Sequence, residues 1–447
     1  MKQPKDRQKG ISRRDFLNGV SLGIAGTLAP IHLLKPSDLL SDYYPPLLTG
    51  IRGNHPGSFN YAHKLAFTGS GFIDAAEDLG ESYDLIVVGG GISGLSAAHF
   101  FKERTGKVPK ILILDNHDDF GGHAKRNEFV VNDRTMLAYG GSQSVESPSY
   151  YEEVSKKLLS NLGIDFNKFY QAYDFDYFKN RQLDTGFYFN KATYGVSQIV
   201  KNVPTFRYDL TYKESIKPEN IQRVASQLPI SDQSKEEFIR LFLDQTDFFP
   251  NLSLEEKYYL LDNISYEDYL RQYHKVGEEV IGIFHSLVWG LWGVGNDSIP
   301  AIGCWGDGLP GFAGLGFTDD EQPSDEINYQ DNPMYDVDTV DESIRDYMSK
   351  NELSNEPYIF HFPDGNATIA RLLVRNLIPN SIPGDTMEDI VTAKADYSML
   401  DKPGQDTNIR LNSTVVSATN TKDGVEIIYA KQGELYKVHA KQCILAC

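Results

Sequence analysis

Six residues, Gly89-Gly90-Gly91-Ile92-Ser93-Gly94, constrain this chain more than any other stretch. They follow the apolar run Leu85-Ile86-Val87-Val88 and open residues 93–103, which read as a helix. A second apolar run, Ile111-Leu112-Ile113-Leu114, comes next and ends at Asp115. Short apolar runs bounded by turn residues read as strands buried on both faces, the mark of a parallel sheet. The order strand, glycines, helix, strand, acid is the G-x-G-x-x-G unit in the context it requires. Gly89 permits the tight turn, Gly91 lets the backbone approach a pyrophosphate, and Gly94 lets the helix lie close to the strand. Ile92 and Ser93 begin the helix, whose N-terminal amides face the anion. Asp115 is placed to accept hydrogen bonds from a ribose.

The surrounding chain bounds what this unit can belong to. Its 447 residues suffice for two or three domains, and 40% hydrophobic with 23% charged residues is a soluble globular composition. A formal net charge of −19 argues against nucleic acid as a partner; it would attract cationic substrates, and solubility alone also accounts for it. Three cysteines, Cys304, Cys443 and Cys447, make neither a zinc spacing nor a disulfide framework. The start does indicate a compartment. Lys2, Lys5, Arg7 and Lys9 precede Ser12-Arg13-Arg14-Asp15-Phe16-Leu17, and a short, glycine-containing apolar run follows at residues 20–28. That is the pattern of a twin-arginine export signal, with Thr27-Leu28-Ala29 as a tolerable cleavage triplet. The expected partner is the twin-arginine translocase, and the expected location is the periplasm.

The reading along the chain gives five segments. Residues 1–29 are the signal, 30–81 a loop-rich N-terminal arm, and 82–148 the first part of the dinucleotide-binding domain. Residues 149–355 are mostly helical, with helix starts at Ser253-Leu254-Glu255-Glu256 and Ser265-Tyr266-Glu267-Asp268. An acidic, irregular stretch covers 319–341, and strands return within 356–447 to complete the first domain. The fold class expected is α/β: a Rossmann-like cofactor-binding domain interrupted by a mainly helical insertion. Residues 442–447 read as a buried strand with nothing after it, so the sequence is expected to be cut short relative to a complete protein.

A family resemblance refines this. Phe120-Gly121-Gly122-His123-Ala124-Lys125 follows Asp115 by a few residues. It is similar to the pattern of the large flavoprotein family that includes amine oxidases and glutathione-reductase-like enzymes. The resemblance implies FAD, with Gly121 and Gly122 against its diphosphate and His123 standing where the family often has arginine. Lys125 and Arg126 lie just beyond. Tyr139-Gly140-Gly141-Ser142 resembles the family segment whose glycines approach the isoalloxazine, and Val416 corresponds to the valine whose backbone meets adenine, with Val415 beside it. The leader, residues 120–129, Leu309-Pro310-Gly311-Phe312 and His361-Phe362-Pro363-Asp364-Gly365-Asn366 together look like bacterial spermidine dehydrogenases.

That likeness implies amine oxidation: a neutral amine gives hydride to flavin, the imine hydrolyses, and electrons pass to an acceptor. The substrate wall would draw on Tyr173, Phe175, Tyr177, Phe187, Tyr188, Phe189, Trp289, Trp292 and Trp305, since aromatic faces suit a polyamine cation. No catalytic side chain is singled out; G-x-S-x-G, H-E-x-x-H and P-loop patterns are all missing from the sequence. Some spermidine dehydrogenases are described as carrying b-type haem, for which His55 and His63 are the candidate ligands; no C-x-x-C-H occurs for covalent attachment. Two alternatives stand beside the polyamine reading. One is a flavin oxidoreductase acting on another amine or an amino acid. The other is an inactive, truncated FAD-binding product.

Overall fold

A computed structural model describes residues 43–48, 59–174, 177–183, 185–206, 212–317 and 359–447. The paired arginines Arg13 and Arg14, His55, Phe175 and the acidic stretch 319–341 lie outside the described residues. The chain divides into two compact units. One comprises residues up to Ser144, Leu158–Ile164 and His361–Cys447; the other comprises Val145–Lys157 and Asp165–Phe360.

The first unit contains β1 (Glu77–Val88), β2 (Ile111–Leu114), β3 (Arg126–Val131) and β4 (Arg134–Tyr139). The second contains β5 (Val145–Glu146), β6 (Gly186–Phe189), β7 (Gln198–Lys201) and β8 (Ile359–Phe360). The chain then returns to the first unit with β9 (Thr407–Arg410), β10 (Thr414–Thr421), β11 (Gly424–Lys431) and β12 (Glu434–Leu445). A six-stranded sheet runs in the order β10-β11-β12-β1-β2-β9. Strands β12, β1, β2 and β9 are parallel, whereas β10, β11 and β12 form an antiparallel excursion. Leu85, Ile86, Val87, Ile111, Leu112, Ile113 and Leu114 are fully buried. Two-sided burial is what their unbroken apolar runs require. On one face Ile86, Leu112 and Leu114 join Ile427, Tyr429 and Val438 of the excursion in one cluster. On the other, the helix Ile92–Arg104 packs on β1 and β2 and against the helix Ala367–Leu377.

This is the α/β class the sequence led us to expect: a Rossmann-like domain with a mostly parallel central sheet. Three details differ. Strand β1 starts at Glu77, inside the stretch read as an arm, because its first half is only partly buried and lacks an apolar run. Strand β12 continues through the exposed, polar Lys441 and Gln442, which break the apolar pattern but not the ladder with β1. Its last residues pair centrally as expected, yet Ile444 and Leu445 are 36% and 65% exposed, so that end is not the buried strand its composition suggested.

The second unit is mainly helical. The helices Pro218–Gln227, Asp232–Leu243, Leu254–Asp262 and Glu278–Trp292 close around Ile221, Val224, Phe238, Leu241, Leu261 and Phe284. Ser253 forms a full capping box with Glu256, and Ser265 accepts from the amide of Asp268, so both predicted helix starts are present. Among the described residues no helix is long and apolar enough to cross a membrane.

Candidate functional site

The site begins where β1 turns into its helix. Gly89 has φ +110°, a backbone that L side chains rarely adopt, and a Cβ there would meet the Ala446 carbonyl oxygen at 2.6 Å. Gly94 needs to be glycine because a Cβ would lie 1.9 Å from the Gly89 oxygen and 3.1 Å from Val87 Cγ1. Helix and strand therefore touch as the motif requires. Gly90, which the motif leaves open, donates its amide to Asp115 Oδ2 at 2.6 Å. A Cβ on Gly90 would sit 2.9 Å from that same oxygen.

Gly91 is different in kind. Its φ of −74° and ψ of 178° suit any residue. A Cβ on it would meet only Gly122, no nearer than 3.8 Å. Neither conformation nor packing demands glycine here. What a side chain would fill is the space before the helix N-terminus, where no side-chain cap is present.

Asp115 is 7% exposed and directly follows β2. Besides the Gly90 amide, it accepts the His117 amide on Oδ1 at 2.7 Å. Each oxygen retains acceptor capacity for a further donor. Sequence reasoning assigned this carboxylate to a ligand alone; it also holds together the glycine turn and the loop after β2.

That loop carries the glycine pair back to the turn. The Gly121 amide donates to the Gly90 carbonyl at 2.8 Å, and Gly91 and Gly121 form a parallel bridge. Gly121 and Gly122 both have positive φ, and a Cβ on Gly122 would lie 3.1 Å from Gly91 Cα. Of the three basic residues that follow, only His123 is exposed. Lys125 is buried with Nζ 3.8 Å from Asp118, and Arg126 is buried between Glu128 and Asp364. Burial pushes the Asp364 carboxyl above its usual range, while Thr368 and Arg126 pull it down.

Gly140 and Gly141 pack along the same segment, donating to the carbonyls of Lys125 at 2.8 Å and His123 at 3.1 Å. Ser142 is locked to the loop before the Ala367–Leu377 helix. Asn366 Nδ2 donates to Ser142 Oγ at 2.9 Å, and the Asn366 amide donates to the Ser142 carbonyl at 3.1 Å. Residues 361–366 thus brace the 139–142 turn, a role their sequence did not reveal. Val416 lies at a register shift between the Val415–Tyr429 and Ser417–Ile428 pairs of β10 and β11. It is the extra residue of a bulge. Just upstream, the Ser413 amide donates to the Asp115 carbonyl at 2.8 Å, so Val416 sits on the chain that runs beside Asp115. The glycine unit, Asp115, the Gly121–Gly122 pair and Val416 accordingly all belong to the first unit.

His55 is outside the described residues, and His63 is exposed on the helix Asn60–Thr68 between Phe59 and Phe67. Among the described residues no group of three or more His, Cys, Asp or Glu could hold a metal ion. The expected aromatic wall also divides. Phe189 and Trp305 are core residues of the second unit, at 2% and 8% exposure. Packing has absorbed them, as it does most aromatics. Phe187 and Tyr188 line an open groove of about 430 Å³ with Phe206, Leu287 and Leu291, while Trp289 and Trp292 are exposed on the surface. The Leu309-Pro310-Gly311-Phe312 string is buried. Tyr266 and Tyr269 donate their hydroxyls to the carbonyls of Pro310 and Gly311 at 2.8 and 2.6 Å.

Fold and site together define a Rossmann-like dinucleotide-binding domain joined to a mainly helical unit. In keeping with that class, a profile for the NAD(P)-binding Rossmann-like domain matches residues 87–162. No curated protein matches the sequence. Among solved structures, a protein named as a protoporphyrinogen oxidase from Exiguobacterium sp. 255-15 aligns at 13% identity and TM-score 0.38, over 83% of this chain and 60% of its own. Putrescine oxidase bound to putrescine aligns at 15% identity and TM-score 0.33, over 82% and 58%. A RAB GDI from Plasmodium falciparum aligns at 13% identity and TM-score 0.33, over 81% and 65%. The chain thus spans less than two thirds of the length of each.

Proposed function

We propose that the first unit binds FAD and that the protein is a flavin-dependent oxidoreductase of amines, with a polyamine such as spermidine as substrate. The observation that carries the cofactor reading is Gly91: a glycine at a helix N-terminus that its own backbone and neighbours do not require. The missing side chain leaves room for a ligand to come within contact of the main chain. Gly121 and Gly122, held against that turn, favour FAD over a nicotinamide dinucleotide through the family resemblance of residues 120–125.

In this reading the Ile92–Arg104 helix end and Gly91 take the diphosphate, Gly122 closes on it, Asp115 fixes the ribose, and the Val416 bulge offers backbone to the adenine. Bound FAD would supply the hydride acceptor; the chain supplies orientation and exclusion of water. Support for a polyamine is the net charge of −19 together with the likeness of residues 120–129, 309–312 and 361–366 to spermidine dehydrogenases. The leader around Arg13 and Arg14 supports export to the periplasm in folded form.

The test is a pair of substitutions. Gly91→Ala places a methyl group in ordinary van der Waals contact with Gly122, without a clash, so the apoprotein should unfold at nearly the unaltered temperature while flavin content falls. Gly91→Val should purify without flavin. A yellow, stoichiometrically loaded Gly91→Val protein would falsify the placement.

A further inference from the structure

A short N-terminal segment ahead of the sheet reaches the same loop from outside. Residues Pro45–Leu47 form a 3-10 turn against β3, preceded by Tyr43 and Tyr44. Tyr44, Pro45 and Pro46 are buried. The Tyr43 hydroxyl donates to the Asp118 carbonyl at 2.5 Å and accepts from Asn412 Nδ2 at 3.2 Å. It therefore joins two backbone segments that are also linked by the bonds from Asn412 to His117, from Ser413 to Asp115 and from the Thr414 hydroxyl to Asn116 Oδ1. One segment leads from Asp115 to Gly122; the other leads to Val416. Both tyrosine rings stand edge-on to Tyr397, each at 5.8 Å and 85°. Tyr397 in turn stacks on Phe120 at 5.6 Å and donates to Asp119 at 2.5 Å. Tyr44 donates to Glu128 at 2.6 Å, on the strand that follows the glycine pair.

Apart from their contact with each other, Tyr43 and Tyr397 meet residues 118–120, immediately before Gly121, together with Asn412 and Tyr44. We infer that residues 43–48 are a clamp, with Tyr43 a positioning residue that sets the 115–122 loop and couples docking of this segment to occupancy of the cofactor site. The inference rests on the FAD reading above and adds to it a partner for the loop that the nucleotide motif does not contain. Coupling of this kind is reciprocal: if the docked segment favours the cofactor-competent loop, the bound cofactor must favour the docked segment by the same factor.

The experiment uses the full chain, stripped of flavin, with FAD itself as probe. Tyr43→Phe keeps the ring on Tyr397 and removes only the hydroxyl, so folding should be preserved. It should weaken FAD binding about three- to ten-fold, the range of one net hydrogen bond. Tyr61→Phe, which removes a hydroxyl bonded instead to the Gly433 carbonyl, should leave FAD affinity unchanged. The converse readout is hydrogen–deuterium exchange of the peptide covering residues 43–48, which should slow when FAD is added to the unaltered protein and slow less in Tyr43→Phe. A purely structural tyrosine would lower the melting temperature without making this exchange respond to FAD. Unchanged FAD affinity in Tyr43→Phe, or exchange indifferent to FAD in a protein that binds it, overturns the clamp alone. Failure of the unaltered protein to bind FAD overturns the clamp and the cofactor reading together.

Discussion

At the scale of single residues, His274 shows how burial turns a side chain into a pH-dependent part of the fold. It is 4% exposed, and its Nε2 donates to the Gly311 carbonyl at 2.7 Å. Burial pushes its pKa below the ordinary value, outweighing the Gly311 bond and the Asp244 charge, which favour the cation; Arg240 opposes it further. The folded chain therefore keeps the imidazole neutral where the unfolded chain, titrating near 6.5, takes up a proton. The stability this neutral ring contributes is present above about pH 6.5 and is lost as pH falls through the depressed folded value. We expect the urea midpoint to fall on acidification below neutrality, and to fall less steeply in His274→Gln, whose amide can still donate to Gly311. Equal slopes in the two proteins would remove His274 from the account. The same scale shows what the sequence could and could not reveal. The turn role of Gly89 and the packing role of Gly94 were legible from their spacing between a strand run and a helix pattern. Gly90 was not, because its reason is the Asp115 carboxylate, 25 residues away and brought 2.6 Å from its amide only by the sheet.

At the scale of elements, legibility followed the strength of the local pattern. β2 and the buried end of β1 were readable from apolar runs, and the helix starts at Ser253 and Ser265 from their capping residues. The outer half of β1 was not, since half-exposed strand residues carry no run. The β3–β4 hairpin was hidden although its turn was written in the chain: Asn132 and Asp133 both have positive φ, which these two residues tolerate better than most. The 309–312 and 361–366 strings stood out only for what they resemble. Their contacts, to Tyr266 and Tyr269 in one case and to Ser142 in the other, brace loops. The proposed leader around Arg13 and Arg14 would act before catalysis begins. If Arg13 and Arg14 are read by the twin-arginine translocase, the reader recognises guanidinium geometry, which lysine does not reproduce. A double Arg→Lys change should then hold the protein in the cytoplasm, with fractionation as the measurement, and undiminished periplasmic recovery would end the proposal.

At the scale of the whole molecule, the net charge of −19 is spread over a chain whose proposed cofactor contacts are largely glycine backbone, so binding a dinucleotide there would not consume the charge. Such a field concentrates cations at the surface, and its reach shrinks from about 30 Å at 0.01 M salt to about 8 Å at 0.15 M. A polyamine carries several positive charges and feels this field in proportion; a monoamine carries one, and an amino acid zwitterion has no net charge. If the substrate is a polyamine, its KM should therefore rise with salt, that of a monoamine should rise less, and that of an amino acid should stay nearly flat. Turnover at saturation should change little for any of them, because screening acts on encounter and weakly on a bound, buried complex. The measurement is steady-state kinetics with an artificial electron acceptor on the complete enzyme, at low and moderate salt, for spermidine, a monoamine and an amino acid. Preference for spermidine with a salt-sensitive KM supports the polyamine assignment. Turnover of the amino acid alone, or a spermidine KM indifferent to salt, would withdraw the substrate and leave the cofactor reading standing on Gly91.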